Sequence, residues 1–456
     1  MIAWNDLARR LAALASRSPV DSILSVTLAL PAMPAGCIPG DAPWWHWQRP
    51  DVGLRLTAIG DALKIESAGP GRFAALGAGM NGLRAAWRHD AAAGNCPPPL
   101  AFAGFAFAPS GGAPLPNAVL AVPSLLLREE GGTCQATFSC PAAAAADAPQ
   151  RFRRLWESLT VPASAAAPPR LARRPAPLED QAFLARSRAA LAAIGRGAAE
   201  KLVLTRSVAY TTDRAFAPWP VLDALAAANP TCAVWAVGRG DGIFLGASPE
   251  LLLEMRGGTV AADALAGTAW GTGENGAAPH CLPLGSDKNR REHDLVTDAV
   301  AAALAPLCAE VSVPEAPEIL QLSNLQHLRR RIAGSCRPGV GAFDLLARLH
   351  PTPAVGGSPT AAAREWLATH GDRRGAWYTG GIGWADAAGA ADFAVALRCG
   401  FMAGSEIALY AGAGFVSGSD PLQELAETEA KLAPMRAALE AGAARSRAAT
   451  RTMTGT

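Results

Sequence analysis

The stretch Glu200-Lys-Leu-Val-Leu-Thr-Arg206, continued by Ser207–Tyr210, alternates as a β-strand does. Lys201, Val203 and Thr205 fall on one face, and Leu202, Leu204 and Arg206 on the other. Each face mixes apolar with polar residues, so the clean inside/outside split of a half-buried strand is missing. An edge strand with long Lys and Arg stems lying along apolar surface accounts for that mixture as readily as a functional lysine does. Just upstream, Phe183, Leu184, Leu191 and Ile194 recur at helical spacing across Glu179–Ile194, and Gly195 and Gly197 stop that helix.

Outward from this strand the chain divides by pattern. The first ~150 residues alternate short apolar stretches with Gly/Pro turns. Ser22–Leu30, Leu54–Ile59, Leu63–Ser67 and Leu120–Leu127 read as strands. The N-terminal MIAWNDLARRLAALASRS is broken by Asp6, Arg9 and Arg10, so it reads as an amphipathic first helix and not as a secretory signal. A helix is expected near Gln150–Leu159, followed by an Ala/Pro-rich linker over 161–177. A core then runs over 178–440, and 441–456 lacks apolar periodicity and reads as a frayed tail. Residues 1–160 are expected to lend strands to the same assembly as the core.

Composition excludes several classes. Half of the 456 residues are hydrophobic, 18% are charged, and the formal net charge is +2. That balance belongs to a globular protein and gives no reason to expect nucleic acid or a membrane surface as partner. The basic clusters Arg170–Arg174 and Arg329–Arg331 read as solvated surface. Nine cysteines with no CxxC pair or zinc-ligand spacing read as free thiols in a reducing compartment, which places the protein in the cytoplasm.

Four further segments carry polar residues that packing does not ask for. Glu250 follows a Ser-Pro turn and precedes the apolar Leu251–Leu253; it is either a cap or a carboxyl held against an apolar wall, where desolvation suits it to donate a proton. Glu292-His293 lies on a helix running from Ser286 through Val300. Glu424 and Glu427 share one face of the last helix, where acidic residues also serve the helix dipole. Two or three carboxylates with open water positions suit a magnesium ion. Leu349–Gly357, including His350, and Gly412-Ala-Gly414 are backbone-rich turns able to offer N–H groups to an anion, although neither matches a phosphate loop.

In this order the segments resemble the chorismate-utilising enzymes, a family that includes isochorismate, salicylate, anthranilate and aminodeoxychorismate synthases. The resemblance runs through Lys201–Arg206, Ser248-Pro-Glu250, Ala264-Leu-Ala-Gly-Thr268, Glu292-His293, Asn324-Leu-Gln-His-Leu328 and Leu349–Gly357. It continues through Tyr378-Thr-Gly-Gly-Ile-Gly-Trp384, Phe393–Arg398, Leu409–Gly414 and Glu424–Lys431, covering about Leu178 to Leu439. Pro43-Trp-Trp-His-Trp47 and Gly104-Phe-Ala-Phe107 look like the isochorismate-forming branch.

The resemblance implies an α+β fold of two large, mostly antiparallel sheets stacked face to face, with helices outside and the site in a cleft. It implies chorismate as substrate, Mg²⁺ as cofactor, and a monomer with no glutaminase subunit. Ammonia-using relatives carry Gln where Lys201 stands, so Lys201 implies water as nucleophile and isochorismate as product. Lys201 would be the base and Glu250 the acid, poised in opposite protonation states; a neutral lysine asks for burial or a neighbouring cation. Glu292, Glu424 and Glu427 would hold the metal. Gly267, Thr268, His350, Tyr378, Arg398, Gly412, Gly414 and Lys431 would meet the substrate. The same residues serve a salicylate synthase, which goes on to eliminate pyruvate, and a chorismate-binding regulator without catalysis is the reading from another class. Asn289, where relatives carry Asp, and Trp270, where they carry Arg, depart from the pattern.

Overall fold

A computed structural model describes the chain except residues 1, 35–41, 92–95, 160–169, 176, 214–216, 241, 270–286, 324, 373 and 453–456; it describes the backbone alone at 269, 287–288 and 442–452. Among the described residues, hydrogen bonding links 21 strands into one network. The pairings are antiparallel apart from Ile23–Leu30 beside Trp87–Ala91. The two expected sheets are therefore continuous with each other.

The path of that network explains where a cleft forms. Near one end, inside the short strands Leu171–Arg173 and Gly357–Ser358, lies Lys201–Thr212, paired with Glu406–Phe415, which pairs with Cys399–Ala403. The path continues through Gly242–Ser248 and Ala233–Arg239. It then crosses into N-terminal strands: Trp44–Arg49, Leu54–Ser67, Ala118–Glu130 and Leu100–Phe105. From there it returns through Gly381–Asp386, Ala391–Val395, Leu251–Arg256 and Thr259–Ala269 to Gln326–Cys336. The N-terminal strands thus bridge two halves of the later chain, and the pairing depends on both. The sheet folds over itself, because Trp45 stacks on Phe102 at 5.5 Å between ring centroids and on Trp377 at 5.8 Å. A core of Trp47, Trp235, Phe244 and Trp384 fills the space between the layers.

Several sequence expectations shift in detail. Leu54–Ile59 and Leu63–Ser67 are one strand, irregular between Asp61 and Leu63. The expected linker contains an edge strand, Leu171–Arg173, paired with Tyr210–Thr212. The helix Pro177–Gly195 buries Phe183, Ser187, Ala190 and Ala193, a face offset from the expected one. Small residues let its backbone approach the sheet closely, so Leu184, Leu191 and Ile194 end only partly buried. The last helix is drawn from Pro421 through Thr452, past the 440 boundary. The basic clusters are surface ion-pair sites: Arg173 pairs with Glu429 and Arg329 with Glu318. Cys96, Cys134, Cys140, Cys232, Cys308, Cys336 and Cys399 are free thiols; Cys37 and Cys281 lie outside the described residues.

Candidate active site

Lys201–Thr212 is not an edge strand. Glu406–Phe415 pairs along one side, and Leu171–Arg173 with Gly357–Ser358 cover parts of the other. Residues Lys201 to Arg206 are buried on both faces. Leu202 and Leu204 pack beneath Phe183, Phe415 and Leu367. Arg206, on that same face, is held by Thr428 at 2.7 Å and Asp180 at 2.5 Å, and by Glu429. The opposite face opens into a cleft lined by Lys201 and Val203. The mixed alternation of the sequence is therefore a strand with a helical roof on one side and a cleft on the other.

The cleft brings together most of the predicted set: Lys201, Glu250, Gly267, Thr268, Glu292, Tyr378, Arg398, Gly412, Gly414, Glu427 and Lys431 all line it. Lys201 is 1% exposed, and its Nζ lies 2.9 Å from Glu292 Oε1. Burial is as expected, but the neighbour is a carboxylate and not a cation. Gly414 makes this contact possible, since a Cβ there would lie 2.8 Å from Glu292 Oε1 and 3.0 Å from Lys201 Cε. A second pair follows two residues along the strand, at Gly412. Lys431 Nζ donates to the Gly412 carbonyl at 2.9 Å and lies 2.5 Å from Glu427 Oε1.

Glu250 has the opposite environment. It is 2% exposed, and its Oε1 has no hydrogen-bond partner. Burial first, then the charge of Asp263, pushes its pKa up to about 8, against the pull of Lys201, Arg398 and Lys431. A carboxyl so placed holds its proton at neutral pH and can give it up at the cleft wall.

Three backbone features aim side chains into the cleft. Gly267 sits at φ +75 where the pairing register shifts between Ala266 and Thr268, a bulge for which glycine is suited. Arg398 holds φ +47 and Thr379 φ +61, conformations uncommon for side-chain-bearing residues. Arg374 braces the second of these by donating to Thr379 Oγ1 at 2.7 Å, to the Val203 carbonyl at 3.0 Å and to Asp372 at 2.7 Å. Burial raises the Tyr378 phenol's pKa, so it remains a neutral donor in the wall.

His327 lines the cleft without having been singled out from sequence, although it stands inside a quoted motif. Arg398 Nη2 lies 2.9 Å from His327 Nε2, and an arginine can only donate. Nε2 is therefore the acceptor, and Nδ1–H points to the Gly267 carbonyl at 3.2 Å. Burial and then the Arg398 charge drive its pKa well below the usual range. A neutral imidazole thus fixes the guanidinium against the bulge. The strand pairing of Thr268 with His327, a long-range match, creates this link.

Two predicted residues lie elsewhere. His350 is not among the cleft lining; it is buried against Phe73, Phe105 and Phe107, donating from Nε2 to the Phe107 carbonyl at 3.1 Å. Burial, aided by Arg72, pushes its pKa down to about 3. Glu424 is 2% exposed and also absent from the lining. Among the described residues no three His, Cys, Asp or Glu side chains are grouped to hold a metal ion. Two carboxylates, Glu292 and Glu427, do face the cleft. That donor set fits a hard cation that keeps one or two protein carboxylates and takes its other oxygens from substrate and water. Trp270 lies outside the described residues; Asn289 lies beside the bulge, its Cβ 3.5 Å from where a Cβ on Gly267 would sit.

A family model of chorismate binding enzymes matches residues 24–440. The chain belongs to the chorismate binding enzyme family. It is 38% identical over 254 residues to the salicylate biosynthesis isochorismate synthase of Pseudomonas aeruginosa, covering 55% of this chain and 53% of the relative. It is 39% identical over 242 residues to the isochorismate synthase MenF of Bacillus subtilis, covering 53% and 51%. The matches thus span about half the length of these curated relatives. The solved structure of MenF, the menaquinone-specific isochorismate synthase of Escherichia coli, superposes with a TM-score of 0.78 at 25% identity, over 96% of this chain and 99% of that one. The fold extends to anthranilate synthase component I of Streptococcus pneumoniae, at a TM-score of 0.64 and 19% identity. Among the described residues no helix is long and apolar enough to cross a membrane.

Proposed function

We propose that this member of the family converts chorismate to isochorismate. The observation that carries the reading is a single cleft with a buried lysine and, elsewhere in its wall, a buried carboxyl group with an unpartnered oxygen. Lys201 takes a proton from water as its oxygen bonds to ring carbon 2. Glu250 gives a proton to the hydroxyl on carbon 4, which departs as water while the ring double bonds shift. Acid and base need opposite protonation states at one pH, and Glu250 keeps its proton to about pH 8. Lys201 serves as base only after giving its proton up, which its ion pair with Glu292 opposes until Glu292 is engaged by the cation this reading assigns to it.

The substrate is an anion, and the cleft holds its counter-charges. Arg398, aligned by His327, and the Tyr378 hydroxyl take the enolpyruvyl carboxylate, the guanidinium by its two-pronged geometry. Lys431, with Gly412 and Gly414, faces the other carboxylate, while Gly267 and Thr268 border the ring. Glu292 and Glu427 would hold magnesium, with Glu424 contributing directly or through water. The bound ion would offset charge between the ring carboxylate and these acids and draw electrons from the ring. This reading includes a cytoplasmic, monomeric enzyme that uses water and needs no glutaminase subunit. The residues of the chorismate-binding core lie within 178–440, and the bridge of N-terminal strands holds its halves together.

Incubation of the purified protein with chorismate and magnesium, followed by chromatography, tests the proposal. Isochorismate alone supports it. Salicylate with pyruvate assigns the lyase step as well, and unchanged chorismate overturns the reading.

A further inference from the structure

Glu250 stands between two cavities. Its front is the cleft already described; behind it is a second cavity lined by Asp263, Arg49, Arg329, Arg331 and Asp392 among others. Pro249 and Glu250 are the residues common to both linings. Asp263 is 3% exposed, its Oδ1 has no hydrogen-bond partner, and its Oδ2 accepts the Leu251 N–H at 3.3 Å, next to Glu250 in the chain. A buried unpartnered carboxyl oxygen is costly, and three of them on one cavity, from Glu250, Asp263 and Asp392, call for an explanation; Asp263 is the one whose other oxygen is tied to the Leu251 N–H beside Glu250.

Proton balance supplies one, and it rests on the isochorismate reading above. The water added at carbon 2 and the water released from carbon 4 cancel overall. Each turnover nevertheless leaves one extra proton on Lys201 and one fewer on Glu250. The enzyme resets only when Lys201 gives up a proton and Glu250 gains one. Product in the cleft would cover the front of Glu250, whereas the rear cavity has the exposed residues Asp51 and Thr231 in its lining.

We propose that the rear cavity is the proton inlet of Glu250 and that Asp263 is the positioning residue that holds a proton there and passes it on. The carboxyl of Asp263 releases a proton toward the Glu250 carboxylate and regains one from water in the cavity, so charge and atoms balance. Asp263 is faced by Arg329, Arg331 and Glu318 and by the backbone N–H of Leu251. Burial outweighs those arginines and leaves its pKa at about 6, within reach of bulk proton exchange near neutrality.

The test is rapid-quench kinetics of the full chain with chorismate and magnesium. Asp263→Asn is expected to form its first equivalent of isochorismate at the wild-type rate, since Glu250 starts protonated. The following turnovers slow roughly tenfold or more, while Asp263→Glu restores them. Thr231→Trp obstructs the same cavity from an exposed lining position and gives the same burst with Asp263 intact, which decides the matter should Asp263→Asn fail to fold. Equal steady states in both variants and the wild type overturn the inlet. So does a first turnover slowed as much as the later ones, because that marks a general distortion of the site. A wild-type protein that makes no isochorismate overturns the functional reading and the inlet with it.

Discussion

Two regions of the cleft hold a carboxyl group and treat it in opposite ways: the Glu292 side chain is 14% exposed, and Glu250 is 2% exposed. Glu292 meets Lys201 at 2.9 Å across the space left by Gly414. Glu250 has one oxygen with no partner, and the largest influence on its charge after burial is another carboxylate, Asp263. The first region therefore stabilises two charges together; the second suppresses one. Burial is the first cause of the Glu250 shift, and the partner beside each group adds to or opposes it.

The strongest way to break this contrast is to remove either proton-transfer group. Glu250→Gln and Lys201→Gln are each expected to lower kcat by about 10² to 10⁴ with chorismate and magnesium, while circular dichroism stays native. Wild-type turnover in either variant would end the acid and base assignments. Next comes the space between Lys201 and Glu292. Gly414→Ala places a methyl where the Glu292 carboxylate and the Lys201 stem now sit, and both are side-chain ends that can move. Folding should survive, and activity should fall by about 10²-fold, the scale of an ångström's misplacement.

A pH-dependent stability measurement sharpens the Glu250 region. Its folded pKa, about 8, lies above the ordinary 4.5. Below pH 4.5 both folded and unfolded states hold the proton, and Glu250 costs nothing. As pH rises from 4.5 to 8 the unfolded chain releases it and the folded chain does not, so stability falls across that window and then levels off. Glu250→Gln should therefore be more stable than the wild type above about pH 6, by on the order of a few kcal/mol, and equal to it near pH 4. Denaturant titrations at both pH values check this; a constant difference would remove desolvation as the cause. The smallest effect on function belongs to His350. His350→Ala should cost roughly 2 kcal/mol in stability through its lost packing among Phe73, Phe105 and Phe107, and leave kcat within about twofold. A large loss of kcat would return His350 to the site.

Local residue order settled much in advance. The period-two run from Lys201 to Tyr210 made a strand, the Gly-terminated run before it made a helix, and motif order carried the family, because such features depend on neighbours close in sequence. Sequence also named eleven residues that line the cleft. It set His350 among the substrate contacts, although His350 is not part of the cleft lining, and it left His327 without a role; the reason is the same in both cases. A histidine's surroundings come from strands far along the chain: Phe105 and Phe107 for one, Gly267 and Arg398 for the other. Alternation alone left Lys201 open between an edge-strand residue and a functional one, and the family resemblance then favoured the second. Pairing with Glu406–Phe415 on one side and Gly357–Ser358 on the other removes the edge strand. Lysine at 201 is a property of the sequence. Its burial against a carboxylate, with a second, unpaired carboxyl elsewhere in the same cleft, belongs to the tertiary structure, since only long-range packing fixes desolvation and the charges that remain nearby.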